Sequence, residues 1–329
     1  MPYDRRTVLG FAAAGAAAPA LAQAPPVKPG TLPDPTEVVP LWPGLPPGAR
    51  AALPRETITD RAATSGFQDR FVTGIARPIM TVFRPARPNG AAVLIAPGGG
   101  YIRVVIDKEG FEVGHRLAAA GITSFVLRYR LPGEGWDRPA DVPFQDAQRA
   151  VRLIRQGAAG FGIDPGRVAA MGFSAGGHVA ASLATRHAAQ VYAPLDAADR
   201  LDARPDLSAL MYPVIDMARP YAHPGSREAL LGKPASPAKE AAYSPQRHVD
   251  ATTPPTFQVH ALDDPAVPPE NTLQYLAALR AAKVPAEAHL FEAGGHGFGI
   301  WGARGKPAAA WPELFLAWAA PRGFLGGRT

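Results

Sequence analysis

The sequence predicts an α/β fold with a mostly parallel central sheet and helices on both faces. Seven short apolar segments have the composition of buried strands, and helical patterns of about ten to fifteen residues lie between most of them. Parallel strands require such crossover helices, which cover the faces of the sheet and leave ligand sites beyond the carboxyl ends of the strands. With 329 residues and 47% hydrophobic content, the chain can bury a substantial core.

The amino-acid composition narrows the chemistry that the protein can perform. Gly (34) and Pro (37) are numerous and charged residues make up only 19%, which indicates a compact, loop-rich protein. The sequence contains no cysteine, so disulfides, thiolate nucleophiles, iron–sulfur clusters and cysteine-bound zinc are excluded. The net charge is +6, but the basic residues are scattered without a run of like charge, and we expect no nucleic-acid partner.

Residues 1–22 are predicted to be a twin-arginine-type signal peptide. Arg5 and Arg6 precede an uncharged stretch up to Ala22, which is too short and too rich in alanine and glycine to span a bilayer stably. Small residues around Ala22 favour cleavage after this position. We therefore expect a periplasmic or secreted protein without stable membrane insertion.

Residues 23–55 are rich in proline, which favours an extended segment along the surface, and Trp42 is a candidate anchor for it. Residues 56–329 show no internal repeat and no clean linker, so we expect a single domain. The strands predicted in it are 79–83, 91–96, 122–129, 168–172, 207–212, 256–261 and 286–291. The alternation of strands and helices breaks at residues 213–255, and this insertion is predicted to form a wall of the site.

Ser174 is the first candidate site residue and lies in the pattern G-x-S-x-G. A predicted strand ends directly before this pattern and an alanine-rich helical run follows it, which is the context that makes the short pattern informative. Gly172 and Gly176 let the backbone turn sharply, so that Ser174 stands at the strand end with a helix N-terminus beneath it. The pattern predicts a nucleophilic hydroxyl.

Attack of a hydroxyl on a carbonyl creates an oxyanion, which backbone N–H groups stabilise best because they need no reorganisation. Two sources of such groups fit the sequence. One is the N–H of Ala175, directly after Ser174, and the other is the glycine turn at residues 97–101, which follows a predicted strand. A dinucleotide-binding G-x-G-x-x-G does not fit this turn, because the third glycine is missing.

A serine hydroxyl needs a general base that a carboxylate holds in place, and in this type of site the acid and then the base follow the serine along the chain. Of the eight histidines, His296 alone lies in a glycine-rich loop just after a late strand. Asp263 and Asp264 both follow the preceding strand. The pattern H-x-x-x-D-x-x-V-P, which begins at His260, favours Asp264 as the acid and leaves Asp263 as the alternative.

Together these motifs resemble the acetyl-esterase and acetylxylan-esterase-like branch of the α/β-hydrolases, from about residue 40 to 300. The matching strings are Leu41-Trp42-Pro43-Gly44, Pro97-Gly98-Gly99-Gly100-Tyr101, Tyr129-Arg130-Leu131-Pro132, Asp146-Ala147-Gln148-Arg149-Ala150, Gly172-Phe173-Ser174-Ala175-Gly176-Gly177-His178, Tyr212-Pro213-Val214, residues 260–268 and Gly294-Gly295-His296-Gly297-Phe298. The resemblance implies an α/β-hydrolase fold and hydrolysis of short acyl esters, often acetyl groups on plant-derived sugars. The residues that it assigns are Ser174 as nucleophile, Asp264 and His296 as the rest of the triad, and Gly99, Gly100 and Ala175 as oxyanion donors.

Three aromatic residues near these motifs are candidates for substrate binding: Tyr101, Trp301 and Trp136, the last as a stacking face for a sugar. The expected partner is a small-molecule or oligosaccharide ester. We expect no cofactor and no metal, since H-E-x-x-H is absent and the histidines are widely separated. Two alternatives are a serine peptidase of related fold, which would normally carry an extra domain, and a catalytically silent binding protein on a hydrolase scaffold.

Overall fold

The computed structural model describes residues 28–326 and contains two sheets. The predicted signal peptide, residues 1–22, lies outside the described residues. The strands are β1 (Val38–Pro40), β2 (Thr57–Asp60), β3 (Arg70–Thr73), β4 (Ile79–Phe83), β5 (Ala92–Ala96), β6 (Val104–Val105), β7 (Thr123–Arg128), β8 (Val168–Phe173), β9 (Leu207–Met211), β10 (Thr256–Ala261) and β11 (Ala286–Phe291). All seven segments predicted to be strands form strands, with ends that differ by at most one residue.

The large sheet has eight strands in the order β1-β4-β7-β5-β8-β9-β10-β11. The last six are parallel to one another, whereas β4 runs antiparallel to both of its neighbours, β1 and β7. Ala96 of β5 lies beside Gly172 of β8, so the two turns that follow these strands meet. Because β10 and β11 run parallel to β8, the segments after them reach the same edge. The sheet therefore brings the glycine turn, the serine, the aspartates and the histidine loop together.

The helices in the described part of the chain are α1 (Ala62–Ser65), α2 (Glu112–Ala119), α3 (Val142–Gln156), α4 (Ala158–Phe161), α5 (Ala175–Arg186), α6 (Pro224–Leu231), α7 (Pro237–Ala242), α8 (Glu270–Ala281) and α9 (Trp311–Ala319). Of these, α2, α3, α5, α8 and α9 pack on the large sheet and cover both of its faces. Gly172 faces α5, since a Cβ there would lie 2.8 Å from the Cβ of Ala180. The ring of the next residue, Phe173, packs on Trp311 of α9 with the ring centroids 5.8 Å apart. Successive residues of a strand point to opposite faces, so α5 and α9 lie on opposite sides of the sheet.

The proline-rich segment is attached to the domain by a buried polar network around Trp42. Leu41 and Trp42 are buried, and the indole N–H of Trp42 donates to Asp146 over 2.8 Å. The same carboxylate binds Arg130, and both of these side chains are fully buried. Arg149 donates its Nε–H to the carbonyl of Leu41 over 2.9 Å. Buried charges are tolerated only when they are paired and hydrogen-bonded, so this network fixes where the segment lies.

The small sheet, in the order β2-β3-β6, lies next to the glycine turn. Val105 of β6 donates its N–H to the carbonyl of Gly98 over 3.0 Å. A π-helical turn, Asp107–Phe111, follows and leads directly into α2. The insertion at residues 213–255 contains α6 and α7, each of which begins at a proline. Among residues 28–326, no helix is both long enough and apolar enough to cross a membrane.

Candidate active site

Ser174 lies on a strained turn between β8 and α5. Its φ of 52° and ψ of −119° are rare for a residue with a side chain, and the surrounding glycines explain why the turn is possible. A Cβ at Gly172 would lie 2.1 Å from the carbonyl oxygen of Gly176, and one at Gly176 would lie 2.0 Å from that of Ala96. Both positions of the G-x-S-x-G pattern therefore require glycine, because the backbone makes close contacts on both sides of the serine.

Three side chains that are far apart in the sequence meet at the edge of the sheet. The Ser174 hydroxyl lies 2.8 Å from Nε2 of His296. Nδ1 of His296 lies 2.7 Å from a carboxylate oxygen of Asp264. The imidazole thus bridges a hydroxyl and a carboxylate, which is the arrangement of a nucleophile, a general base and an orienting acid.

Asp264 is held at both of its oxygens. One oxygen accepts the N–H groups of Ala266 and Val267, each over 2.9 Å, and the other faces His296 and, at 3.3 Å, Nε2 of His260. Its side chain is fully buried. Burial alone would raise the pKa of Asp264, but the hydrogen bonds from His260 and His296 outweigh it, so that the pKa lies well below its usual range. The carboxylate is therefore ionised across the physiological range.

The neighbouring carboxylate, Asp263, has a different position. It is exposed and accepts the N–H groups of Gly294 and Gly295, over 2.9 and 2.7 Å. These hydrogen bonds hold the glycine-rich loop just before His296. The sequence left open which of the two aspartates holds the histidine. The structure brings Asp264 into contact with His296 and Asp263 into contact with the loop backbone.

The glycine turn faces the serine. Gly99 and Gly100, with φ of 132° and 67°, line the same cavity as Ser174. The N–H of Gly98 is already used, since it donates to the carboxylate of Glu109 over 2.9 Å. Ala175 begins α5, and the first N–H groups of a helix have no partner within the helix. The predicted donors Gly99, Gly100 and Ala175 thus lie on the two segments that flank the hydroxyl.

Glu109 connects the glycine turn to the histidine loop. It is buried in the π-helical turn, and its second oxygen accepts the hydroxyl of Tyr212 over 3.0 Å. The Tyr212 oxygen in turn accepts the N–H of Gly299 over 3.1 Å, and its ring packs edge-on against His296 with the centroids 5.2 Å apart. One carboxylate therefore holds the positions of Gly98 and, through Tyr212, of the base.

The site opens into a cavity of about 300 Å³. The insertion at residues 213–255 contributes two residues to its wall, and the small sheet with its flanking segments contributes several basic ones. The residues that line the cavity are Arg61, Gly99, Gly100, Ile102, Arg103, Val105, Lys108, Glu109, Ser174, His223, Gly225, Ala266, His296 and Gly297. The cavity thus has room for a small ester group directly above the serine.

The three aromatic residues predicted to bind substrate do not line this cavity. Tyr101 is buried, and its hydroxyl bonds to Nδ1 of His178 over 2.6 Å on the far side of the turn. Trp136 is 2% exposed and packs under the guanidinium of Arg130, so it has no free face for a sugar. Trp301 is half-buried and lies against Arg304. Other residues therefore line the cavity, because nearness in sequence to a motif does not decide which way a side chain points.

Sequence reasoning missed Glu109 as a contributor to the site. Glu109 falls in a segment that reads as the start of an amphipathic helix, where a glutamate normally faces solvent, and only the neighbouring glycine turn could have pointed to it. His260 lies inside a strand pattern, where a histidine is usually structural. Its spacing of four residues to Asp264 was used to select that aspartate, but its contact with the carboxylate was not predicted.

Among residues 28–326, no group of three or more histidine, aspartate and glutamate side chains could hold a metal ion. Ser174, His296 and Asp264 on a doubly covered, mostly parallel sheet define the class of α/β-hydrolases.

Comparison with known proteins gives the family. Residues 80–279 match the BD-FAE family model, and the chain belongs to this family. An acetylxylan esterase from Xylanibacter ruminicola is 36% identical over 225 residues, which are 67% of this chain and 44% of that protein. An endo-1,4-beta-xylanase B from Butyrivibrio fibrisolvens is 35% identical over 227 residues, which are 69% of this chain and 34% of that protein. The chain thus spans less than half the length of these two curated relatives.

A solved structure is similar over most of the chain. It is an acetyl ester-xyloside bifunctional hydrolase from Caldicellulosiruptor lactoaceticus, which is 33% identical and superimposes with a TM-score of 0.71. The alignment covers 90% of this chain and 100% of that one. The shared architecture extends well beyond the segment that the family model matches.

Proposed function

We propose that this protein is a serine esterase that removes short acyl groups, acetyl above all, from carbohydrate esters such as acetylated xylan fragments. The observation that carries the proposal is the hydrogen-bonded chain from Ser174 through His296 to Asp264, with distances of 2.8 and 2.7 Å. The names of the similar proteins, an acetylxylan esterase and an acetyl ester-xyloside hydrolase, support the substrate class. The small cavity above the serine fits a short acyl group.

The proposed reaction follows from the side chains. Oγ of Ser174 attacks the ester carbonyl carbon while its proton passes to Nε2 of His296, and the carbonyl electron pair moves onto the oxygen. N–H groups of Gly99, Gly100 and Ala175 stabilise this oxyanion. The tetrahedral intermediate collapses to an acyl-enzyme as the alcohol leaves with the proton from His296. Water then repeats the sequence and releases the acid.

The charge of Asp264 matters at the moment when His296 becomes an imidazolium. An ionised carboxylate at Nδ1 stabilises that cation and keeps the tautomer in which Nε2 can accept a proton. The low pKa of Asp264, which its hydrogen bonds maintain against the effect of burial, ensures that the charge is present throughout.

A substrate panel tests this proposal. The native protein and the variants Ser174→Ala and Ser182→Ala are assayed with p-nitrophenyl esters of rising acyl length, with acetylated xylan fragments and with a peptide amide. We expect acetate release by the native protein and by Ser182→Ala, since Ser182 lies within α5 and away from the turn. In Ser174→Ala we expect the rate of acetate release to fall by about 10⁴-fold or more.

Each other outcome contradicts the proposal in a distinct way. Cleavage of the amide in preference to the esters would indicate a peptidase. Binding of xylan fragments without turnover would indicate a silent binding protein. Ester hydrolysis that survives in Ser174→Ala would mean that the nucleophile is another residue.

We also propose that the protein is exported through the twin-arginine route, on the basis of Arg5 and Arg6. Fractionation of cells that produce the full chain tests this. We expect periplasmic or secreted esterase from the natural chain and cytoplasmic retention when both arginines are replaced by lysine. Equal export of both chains would contradict the proposal.

A further inference from the structure

Three basic side chains line the cavity that contains Ser174: Arg61, Arg103 and Lys108. All three are half-buried, so the protein shields them partly from bulk solvent. A neutral acetyl ester requires none of them, because the proposed reaction uses only backbone N–H groups and the triad.

Arg103 lies directly beside the glycine turn. A Cβ at Gly99 would lie 2.2 Å from the carbonyl oxygen of Arg103 and 2.9 Å from its Cγ, so the stem of the side chain packs on the turn. Its guanidinium lies over the ring of Phe71, 5.2 Å from the centroid, and that of Arg61 lies 5.5 Å from the same ring. The aromatic ring thus holds two cations at one side of the cavity.

Lys108 lies next to the histidine loop. A Cβ at Gly297 would lie 3.5 Å from Nζ of Lys108 and 3.4 Å from an oxygen of Glu109. Since Gly297 follows His296 directly, the ammonium group flanks this loop. A ligand above Ser174 therefore has Arg103 beside the glycine turn and Lys108 beside the histidine loop in the wall around it.

The positive charge is only partly balanced by the protein. Arg61 is paired with Asp69 at 2.7 Å. Arg103 and Lys108 make no ion pair within residues 28–326, and Nε of Arg103 is buried without a hydrogen-bond partner. The acidic residue in the wall, Glu109, already accepts hydrogen bonds from Gly98 and Tyr212.

The surroundings of Arg103 also destabilise its charged form. Burial and the nearby Arg61 lower the pKa of Arg103. A bound anion stabilises such a partly buried cation more than it stabilises a cation that is exposed to water, because the anion replaces lost hydration.

We propose, on the basis of the esterase activity proposed above, that the preferred substrate carries a carboxylate which Arg103 binds, with Lys108 adding to the attraction. The planar guanidinium suits a carboxylate because it can donate two parallel hydrogen bonds. The carboxylate can belong to the alcohol part, as in an acetylated sugar that bears a uronic acid, or to the acyl part, as in the half-ester of a dicarboxylic acid. Arg103 is then a specificity-determining residue.

Two matched pairs of esters distinguish these sources. In the first pair, 4-acetoxybenzoate and 4-acetoxybenzamide differ only in the charge on the alcohol part. In the second, the 4-nitrophenyl monoester of adipic acid and that of its monoamide differ only in the charge on the acyl part. For each pair the measured quantity is the ratio of kcat/KM, anionic over neutral, in the native protein, Arg103→Gln, Arg103→Lys and Arg50→Gln.

We expect the ratio to fall about tenfold or more in Arg103→Gln for one pair, since hydrogen bonds to charged groups contribute strongly. Arg103→Lys should keep part of the preference, and Arg50→Gln, which alters an exposed arginine paired with Asp137, should keep all of it. The pair that responds identifies the part of the substrate that carries the carboxylate. Ratios that are the same in the native protein and in Arg103→Gln, for both pairs, would overturn the inference.

A binding measurement separates failure of this inference from failure of the proposed function. Calorimetry with Ser174→Ala protein compares 4-hydroxybenzoate with 4-hydroxybenzamide, and monomethyl adipate with methyl adipamate, without any turnover. Tighter binding of one carboxylate that is lost in the double variant with Arg103→Gln would support the site even if the esters were not hydrolysed. Neutral esters that are hydrolysed, together with equal binding of charged and neutral compounds, would refute this inference and leave the esterase proposal standing.

Discussion

The side chains of Asp264 and Asp146 are both fully buried, yet their surroundings differ. Asp146 is faced by a permanent cation, with oxygens 2.8 to 3.0 Å from the guanidinium of Arg130, and by the indole N–H of Trp42. Asp264 is faced by two imidazoles and by two backbone N–H groups. The first carboxylate is neutralised by a fixed charge, whereas the second is held by dipoles and hydrogen bonds.

This difference explains what each carboxylate can do. An arginine stays charged, so the ion pair of Asp146 and Arg130 does not change its protonation. Through its bond to Trp42, Asp146 joins the proline-rich segment to helix α3. An imidazole can gain a proton, so in the proposed reaction the attraction at Asp264 grows when His296 takes one from Ser174. The same type of buried group thus stabilises the fold in one region and, in the proposed reaction, supports proton transfer in the other.

Among the carboxylates, the largest expected effect on activity is that of Asp264→Asn. An amide at this position cannot stabilise the imidazolium and favours the wrong tautomer of His296, so we expect kcat to fall by about 10³- to 10⁴-fold. The control is Asp263→Asn, whose amide oxygen can still accept the N–H groups of Gly294 and Gly295, and we expect a far smaller loss. Steady-state kinetics on a short acyl ester measure both, and equal losses would mean that Asp264 is not the orienting acid.

Asp146→Asn should show the opposite behaviour. It leaves Arg130 buried without an anion, and we expect a loss of about 3 to 5 kcal/mol in the free energy of unfolding. The activity per folded molecule should remain. Asp137→Asn removes the partner of Arg50 in an exposed pair and should cost less than about 1 kcal/mol. Urea unfolding measures both variants, and a small loss in Asp146→Asn would contradict its role as an anchor.

Glu109→Gln tests whether the buried glutamate positions the oxyanion donors and the base. We expect kcat to fall by about 10- to 100-fold with KM nearly unchanged, because an amide can satisfy only part of the contacts to Gly98 and Tyr212 and the donors then lie less well for the transition state. Glu112→Gln, one helical turn further on, is the matched buried control. A rise in KM at constant kcat would instead indicate a role in substrate binding.

Glu112 gives the clearest expected dependence of stability on pH. Burial raises the pKa of Glu112 to about 8, and one of its oxygens has no hydrogen-bond partner. The folded protein therefore holds a proton that the unfolded chain releases near pH 4.3. As pH rises from about 4.3 to 8, the contribution of Glu112 to the free energy of unfolding falls by at most about 1.4 kcal/mol per pH unit. Urea midpoints measured across this range should decline less steeply in Glu112→Gln, and identical slopes would contradict the assignment.

Much of the sheet and of the triad could be predicted from the sequence. Buried parallel strands are continuous apolar runs, and the segments that follow them carry Ser174, Asp264 and His296 to one edge. The strands β1, β2, β3 and β6 were not predicted, because they are only two to four residues long and most of them are partly exposed. Strands of this length are too short to show a recognisable apolar or alternating pattern.

The walls of the cavity could be predicted least. Tyr101 and Trp136 point into the core although each lies beside a recognisable motif, and Arg103 and Lys108 line the cavity although nothing in their local sequence indicates it. Which way these side chains point depends on packing between distant segments, such as Phe71 against Arg103. Periodicity along the chain does not contain that information.

The central claim, that Ser174 is the nucleophile activated by His296, can be tested directly by covalent labelling. The native protein is treated with a p-nitrophenyl phosphonate ester, which reacts with an activated serine, and the labelled peptide is identified by mass spectrometry. We predict one phosphonyl group per molecule, on Ser174, with loss of esterase activity in proportion, and no labelling in Ser174→Ala. An inactivated protein that carries the label on another residue, with Ser174 unmodified, would contradict the account.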